Sequence, residues 1–145
     1  MDSIRRRKAT ILIAVLSFIL IVLVLGAGAE PSEFHGYKIR SAEDIPPFLQ
    51  ALGWECDPSA LSEQKAVLPK QFDETFIAYN AIQLQQGCDL SAYVGKEVTV
   101  YTLPILNYPD ETETVLATVI VYKNHIIGGD LHAAAMDGFM LPLKT

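Results

Sequence analysis

The chain has 145 residues, a mean hydropathy of +0.26 and a net charge of −6. Those averages join unlike parts: residues 1–8 carry +3, residues 9–29 hold 17 apolar residues and no charge, and residues 30–145 carry seven basic against sixteen acidic residues, or −9. A multi-span transporter, a basic nucleic-acid binder and a disordered tail are excluded, the last because residues 30–145 are apolar in ordinary globular proportion.

Residues 9–29 read ATILIAVLSFILIVLVLGAGA. As a helix at ~1.5 Å per residue this run would be about 31 Å long, matching a hydrocarbon core of ~30 Å. Thirteen Leu, Ile, Val and Phe residues lie between Ile11 and Leu25. At about −0.3 to −0.6 kcal/mol each they favour the bilayer by roughly 4 to 8 kcal/mol. Arg5, Arg6, Arg7 and Lys8 precede the run, and positive charge stays on the cytoplasmic side. The expectation is a single-pass signal anchor in a bacterial cell membrane, with residues 1–8 inside, 9–29 in contact with the lipid bilayer and the acidic remainder outside. A cleaved signal peptide is the alternative, because Ala27-Gly28-Ala29 fits the A-x-A cleavage pattern; the protein would then be secreted from Glu30. The apolar run of 17 residues from 9 to 25 exceeds the ~7 to 15 of a usual signal core, which favours the anchor.

Residues 30–36, with Pro31 and two glutamates, read as a stalk, and residues 37–145 as one extracytoplasmic domain. Residues 37–40, YKIR, alternate in character and predict a first strand. Ser41 followed by Asp44 is a capping-box pattern, so a short helix is expected next. Phe48, Leu49 and Leu52 recur at helical spacing, Pro46 and Pro47 are tolerated in a first turn, and Gly53 is a natural stop. Residues 64–68 form a second expected strand, ended by Pro69. The strongest helix is expected over 72–86, with Asp73 and Glu74 at its positive end and Gly87 past its last turn. Phe72, Phe76, Tyr79 and Gln83 share one stripe, with Ile77, Ala81 and Leu84 beside it, so the buried face should be broad.

A compact turn at 89–95 leads to a strand at 98–106, which Pro104 marks as an edge or bulged strand. Asn107-Tyr108-Pro109-Asp110 begins a connection to 114–122, apolar on both faces as a central strand would be. Asn124-His125 turns the chain into a strand at 126–131. The expected fold class is α+β: a largely antiparallel sheet with two helices covering one face, preceded by one N-terminal transmembrane helix.

Several runs occur together in a fixed order: FLQALGWE at 48–55, YNAIQLQQGCDLSAYVGKEV at 79–98, NYP at 107–109, VYKNHIIGGD at 121–130 and DGFM at 137–140. The combination resembles an uncharacterised domain-of-unknown-function family of small, membrane-anchored or secreted proteins of Gram-positive bacteria. The resemblance implies a fold unit and a location, and it brings no activity, ligand or catalytic residue. Cys56 and Cys88 depart from the apolar residues usual at those positions of the family.

An oxidising location makes a Cys56–Cys88 disulfide one reading, worth roughly 3 to 4 kcal/mol in the chain-entropy model; two small buried hydrophobes are the other. Gly128-Gly129-Asp130 is similar to the opening of the GGDEF signature of cyclases that make a dinucleotide messenger, but Leu131 and His132 end the match. A strand end needing close backbone approach is the preferred reading. His125, Asp130 and His132 would make a metal set only if the last strand folded back, and no metal ligand or cofactor is assigned. Asn80, Gln83, Asp89, Tyr93 and Lys96 are the polar residues of the densest run, and with Asn107 they either line a groove or satisfy backbone groups at turns; the second reading is favoured. The chain carries no P-loop, HExxH or nucleophile elbow. The function expected is a non-catalytic binding domain for a protein or cell-envelope component, with a small envelope-directed hydrolase or metal-dependent enzyme as the alternative. Nucleic acid is not an expected partner, and a surface of −9 favours cationic ones.

Overall fold

The sheet is an antiparallel meander of five strands in sequence order: β1 (Ser62–Val67), β2 (Glu97–Ile105), β3 (Val115–Tyr122), β4 (His125–Ala133) and β5 (Met140–Leu141). It is seen in a computed structural model that describes residues 34–110, 112–135 and 137–144. Residues 1–8, the expected membrane segment and the first part of the stalk lie outside these. Among the described residues no helix is long and apolar enough to cross a membrane. Two helices, α1 (Ile45–Ala51) and α2 (Glu74–Leu84), complete the α+β fold.

Because side chains alternate across a strand, the three inner strands β2, β3 and β4 feed two apolar layers. Tyr101, Leu103 and Ile105 of β2, Val115, Ala117, Val119 and Val121 of β3, and Leu131 of β4 pack with Ile45, Phe48 and Leu49 of α1. Val98, Ile120 and Ile127 form the other layer, with Phe76 and Tyr79 of α2 and Tyr93 beside them. The helices therefore cover opposite faces, which corrects the expectation that they share one. The apolar pattern of β3 on both sides already demanded two lids, since a sheet face of Val and Ile left open to water forfeits its burial.

α1 begins with Pro46 and Pro47 in its first turn, where the N–H groups have no intrahelical partner to lose. The Asp44 carboxylate accepts the backbone N–H of Arg40 (2.7 Å) and of Ser41 (3.3 Å) just before it. Gly53, at φ 92°, lets Trp54 N–H reach back to the Leu49 carbonyl (3.0 Å). α2 is capped by Asp73, whose carboxylate accepts Phe76 N–H (2.8 Å). Its buried face is narrower than expected and partly polar: Ile77 is 58 % and Leu84 56 % exposed, whereas Asn80 and Gln83 are buried.

β2 is an internal strand, paired on both sides, despite Pro104. The Pro104 carbonyl accepts Asp57 N–H (3.2 Å) on the β1 side. The N and O of one extended residue point the same way, so the missing N–H falls beyond the last β1 pair, Ser62↔Thr102, and costs the β3 ladder nothing. The strand expected at 37–40 is reduced to a single bridge, Lys38↔His125. The hairpin between β3 and β4 turns on Lys123 (φ 45°) and Asn124 (φ 66°), one residue earlier than expected, both left-handed as a tight hairpin turn requires.

Phe34 lies within the expected stalk yet is fully buried, its ring edge-on to Phe48 at 5.4 Å. The packed domain therefore begins no later than this residue. Phe34→Ala is expected to cost about 3 to 5 kcal/mol in denaturant unfolding of the full chain, the value of a buried aromatic rather than of a linker residue.

Candidate functional site

The polar residues of the densest run divide by what they touch. Asn80, on α2, accepts Leu90 N–H at Oδ1 (2.8 Å) and donates from Nδ2 to Asp89 (3.0 Å). Asp89 in turn accepts the N–H and Oγ–H of Ser91 (2.9 and 2.6 Å), starting a 3-10 turn at Leu90–Tyr93. These hydrogen bonds hold the Asp89 carboxyl below its usual range, those from Ser91 and Asn80 being the largest. Both residues thus tie the end of α2 to the lead into β2. Lys96 is exposed, and its backbone joins this turn through Tyr93 O and Leu68 N (3.0 Å each). Asn107 clamps the segment after α1, accepting Glu55 N–H (2.8 Å) and donating to the Gly53 carbonyl (2.9 Å).

Gln83 works with Gln86, one helical turn on, which the sequence reading missed. Gly129 of β4 faces the sheet edge where β5 has not yet begun. Its N–H donates to Gln83 Oε1 (2.8 Å), and its carbonyl accepts Gln86 Nε2 (2.7 Å). Gln86 Nε2 also donates to Gln83 Oε1 (2.8 Å), and Gln86 Oε1 accepts Leu143 N–H (2.9 Å). Two side-chain amides stand in for the missing neighbouring strand. Two donors at Oε1 set the Gln83 orientation, and its Nε2 is left buried without a partner.

This arrangement accounts for the paired glycines. A Cβ on Gly128 would meet Gln83 Oε1 at 2.8 Å, on the α2 face; one on Gly129 would meet Leu143 Cδ1 at 2.4 Å and the Thr118 carbonyl at 2.5 Å, on the opposite face. The runs that carry the resemblance also meet by packing: Tyr108 stacks between Trp54 (6.0 Å) and Phe139 (5.0 Å), and Trp54 Nε1–H donates to the Leu143 carbonyl (2.7 Å).

Asp130, the third residue of that run, is 2 % exposed. Tyr79 O–H donates to its Oδ2 (2.7 Å), and His132 Nδ1 lies 2.7 Å from its Oδ1. Burial raises the Asp130 carboxyl against the opposing pull of these two partners, and burial beside Asp130 puts the Tyr79 hydroxyl well above the ordinary phenol range. His125 does not join them: it lies five residues back along β4, about 16 Å at ~3.3 Å per residue. The three therefore do not converge on a metal, and among the described residues no group of three or more His, Cys, Asp or Glu side chains does.

Cys88 lies in the larger apolar layer and Cys56 packs against it; no disulfide joins them in this structure. Burial, with Asp57 alongside, pushes the Cys56 thiol above its usual value.

One concave feature among the described residues is a cleft of about 540 Å³ at the hairpin end of the sheet, lined by Phe34, His35, Tyr93, Tyr122, Lys123, His125 and Ile126. Tyr93 meets Tyr122 edge-on at 5.3 Å, and Lys123 Nζ sits 5.4 Å over the Tyr122 ring. Aromatic walls with donors at the mouth suit a small ligand. Of the residues singled out in the sequence, Tyr93 and His125 lie here. The signal for the rest was the pair Tyr122-Lys123 at the hairpin turn.

Residues 48–131 match the family model described as Domain of unknown function (DUF4830). The chain belongs to this family. No curated protein and no solved structure matches it. The DUF4830 region contains Asn80, Gln83, Gln86, Asp89, both strand glycines and five of the seven cleft residues, while His132, Phe139 and Leu143 lie beyond it.

Gly129→Ala is expected to destabilise more than Gly128→Ala in chemical denaturation, by about 1 to 3 kcal/mol or more, because its clash is partly with backbone. Asp130 binds its proton more tightly folded than unfolded. Its contribution is therefore complete below the ordinary 3.8 and lost as pH rises through the raised folded value. Asp130→Asn keeps an acceptor for Tyr79 and should flatten this part of a melting-temperature profile taken from about pH 4 to pH 7.

Proposed function

We propose that this protein is a non-catalytic binding module, held outside a bacterial cell membrane by residues 9–29, whose cleft at the β3–β4 hairpin takes a saccharide-type component of the cell envelope. The cleft itself carries this reading. Tyr93 and Tyr122 offer ring faces and edges on which a sugar ring packs, and His35, Lys123 and His125 surround them with polar groups for its oxygens. Among the described residues no carboxylate lines it, so the acid and base pair of a glycoside hydrolase is not assembled from them.

The enzyme alternative has one observation in its favour, the buried Asp130 that orients His132. Neither residue lines the cleft. A local lysine also separates this mouth from the acidic remainder of the domain, so a neutral or weakly anionic ligand fits it better than the cationic partner that −9 alone suggests.

The test is retention of the full chain, in detergent micelles, on immobilised envelope polysaccharides. Lys123 and His125 are exposed, so Lys123→Glu and His125→Ala should leave the melting temperature unchanged and weaken retention at least tenfold, about 1.4 kcal/mol. Wild-type protein that binds no envelope polymer, or variants that bind as well as wild type, would defeat the proposal.

A further inference from the structure

The two edges of the sheet are treated differently. Along β4 outward backbone groups find partners at four places: β5 pairs with Leu131, the Phe139 carbonyl accepts Ala133 N–H, Gln83 and Gln86 hold Gly129, and Lys38 bridges His125. β1, at the other edge, has all six residues exposed and, among the described residues, a neighbouring strand on one side only.

Which β1 groups point outward follows from the ladder. Leu68 N–H donates to the Lys96 carbonyl (3.0 Å), and Pro104 and Leu106 of the partner strand also face the β1 side. Even-numbered residues of β1 therefore face β2, and Glu63, Lys65 and Val67 direct their N–H and C=O groups away from the sheet. Their side chains share one face with Leu61. Read along that face, Leu61, Glu63, Lys65 and Val67 are apolar, acidic, basic and apolar, a pattern whose reverse is its charge complement.

We infer that β1 pairs antiparallel with β1 of a second copy, joining two five-stranded sheets across a two-fold axis at Gln64. Outward residues must face outward residues, which restricts the register to steps of two. One step sets Glu63 against its own copy and another sets Lys65 against its own, placing like charges directly opposite. The step between them, centred on Gln64, puts Glu63 opposite the second copy's Lys65, Lys65 opposite Glu63, and Leu61 opposite Val67. Val67, 65 % exposed in one copy, is then covered. Lys65 already lies 3.6 Å from Glu97, but both side chains are largely exposed, and such a pair is too weak to hold Lys65 from a second carboxylate. The same charges reject the neighbouring registers, so the edge admits one closed pair and not a growing stack.

The test uses the full chain in detergent micelles, by sedimentation equilibrium and by oxidative cross-linking. Wild type should be a dimer. Glu63→Lys and Lys65→Glu should each raise the dissociation constant at least tenfold without lowering the melting temperature, and the double reversal should restore it. Gln64→Cys should cross-link on oxidation beyond the wild-type background from Cys56 and Cys88, because non-hydrogen-bonded partners have Cα atoms about 4.5 Å apart, within disulfide range. A wild-type monomer up to ~0.1 mM, including one that captures an extended peptide on β1, would overturn the inference. So would a dimer indifferent to both reversals, held instead by residues 9–29 or by Ile77 and Leu84 on α2, or a double reversal that stays weak.

Discussion

The amide pair of Gln83 and Gln86 against Gly129 is the contact on which the arrangement of this domain depends. A sheet edge inside a packed structure leaves backbone groups that water cannot reach, and each unmet group costs about 1 to 3 kcal/mol. Here one side chain from the last turn of α2 and one just past its end meet both groups of one residue, and the second amide also receives the backbone N–H of Leu143. Helix α2, strand β4 and the C-terminal segment are thereby set in one geometry. The glycines follow from it: the helix and the returning segment approach β4 from opposite faces too closely for any Cβ.

That closure shapes what is left for binding. With β4 partnered at Gly129 and Leu131 and helices over the two faces of the central strands, two exposed opportunities among the described residues are the cleft at the hairpin end and the open edge of β1. They lie on different elements and use different chemistry. The cleft is aromatic and offers polar side chains to a small ligand, while β1 offers backbone groups to another strand. Binding at one does not require the other, and a module that holds a ligand at its hairpin and a copy of itself at its far edge strand would present two ligand seats together, with the avidity that brings.

Much of the fold was legible from local rules. Asp73 and Gly87 bracket α2 because an acceptor at the start and a left-handed residue past the end meet helix-terminal needs that do not depend on tertiary context. The double-sided apolar run of β3 marked a central strand for a similar reason. Pro104 misled because its cost depends on which neighbour its nitrogen faces, and that is settled by where β1 stops. Ile77 and Leu84 misled because helical spacing shows which residues share a stripe, but Asn80 and Gln83 took the buried places, drawn there by backbone groups from other parts of the chain. Asn80 and Asp89 were legible as turn-satisfying residues; Gln86 and Tyr79 were not, since their partners lie 43 and 51 positions away with no periodic signal linking them.

Composition and order alone divide the chain into a basic start, an uncharged apolar run and an acidic α+β domain, because hydrophobic content, charge and periodicity are sums over near neighbours. An uncharacterised family of unknown function was also expected from the sequence, and residues 48–131 match the model of one. Only the folded chain decides that the helices take opposite faces, that the glycine pair serves approach from two sides, that Asp130 is buried between Tyr79 and His132, and that Tyr93 meets Tyr122 and Lys123 at one cleft. Each of these depends on which distant groups are left unsatisfied when the strands have paired, and that is known only once the register is set.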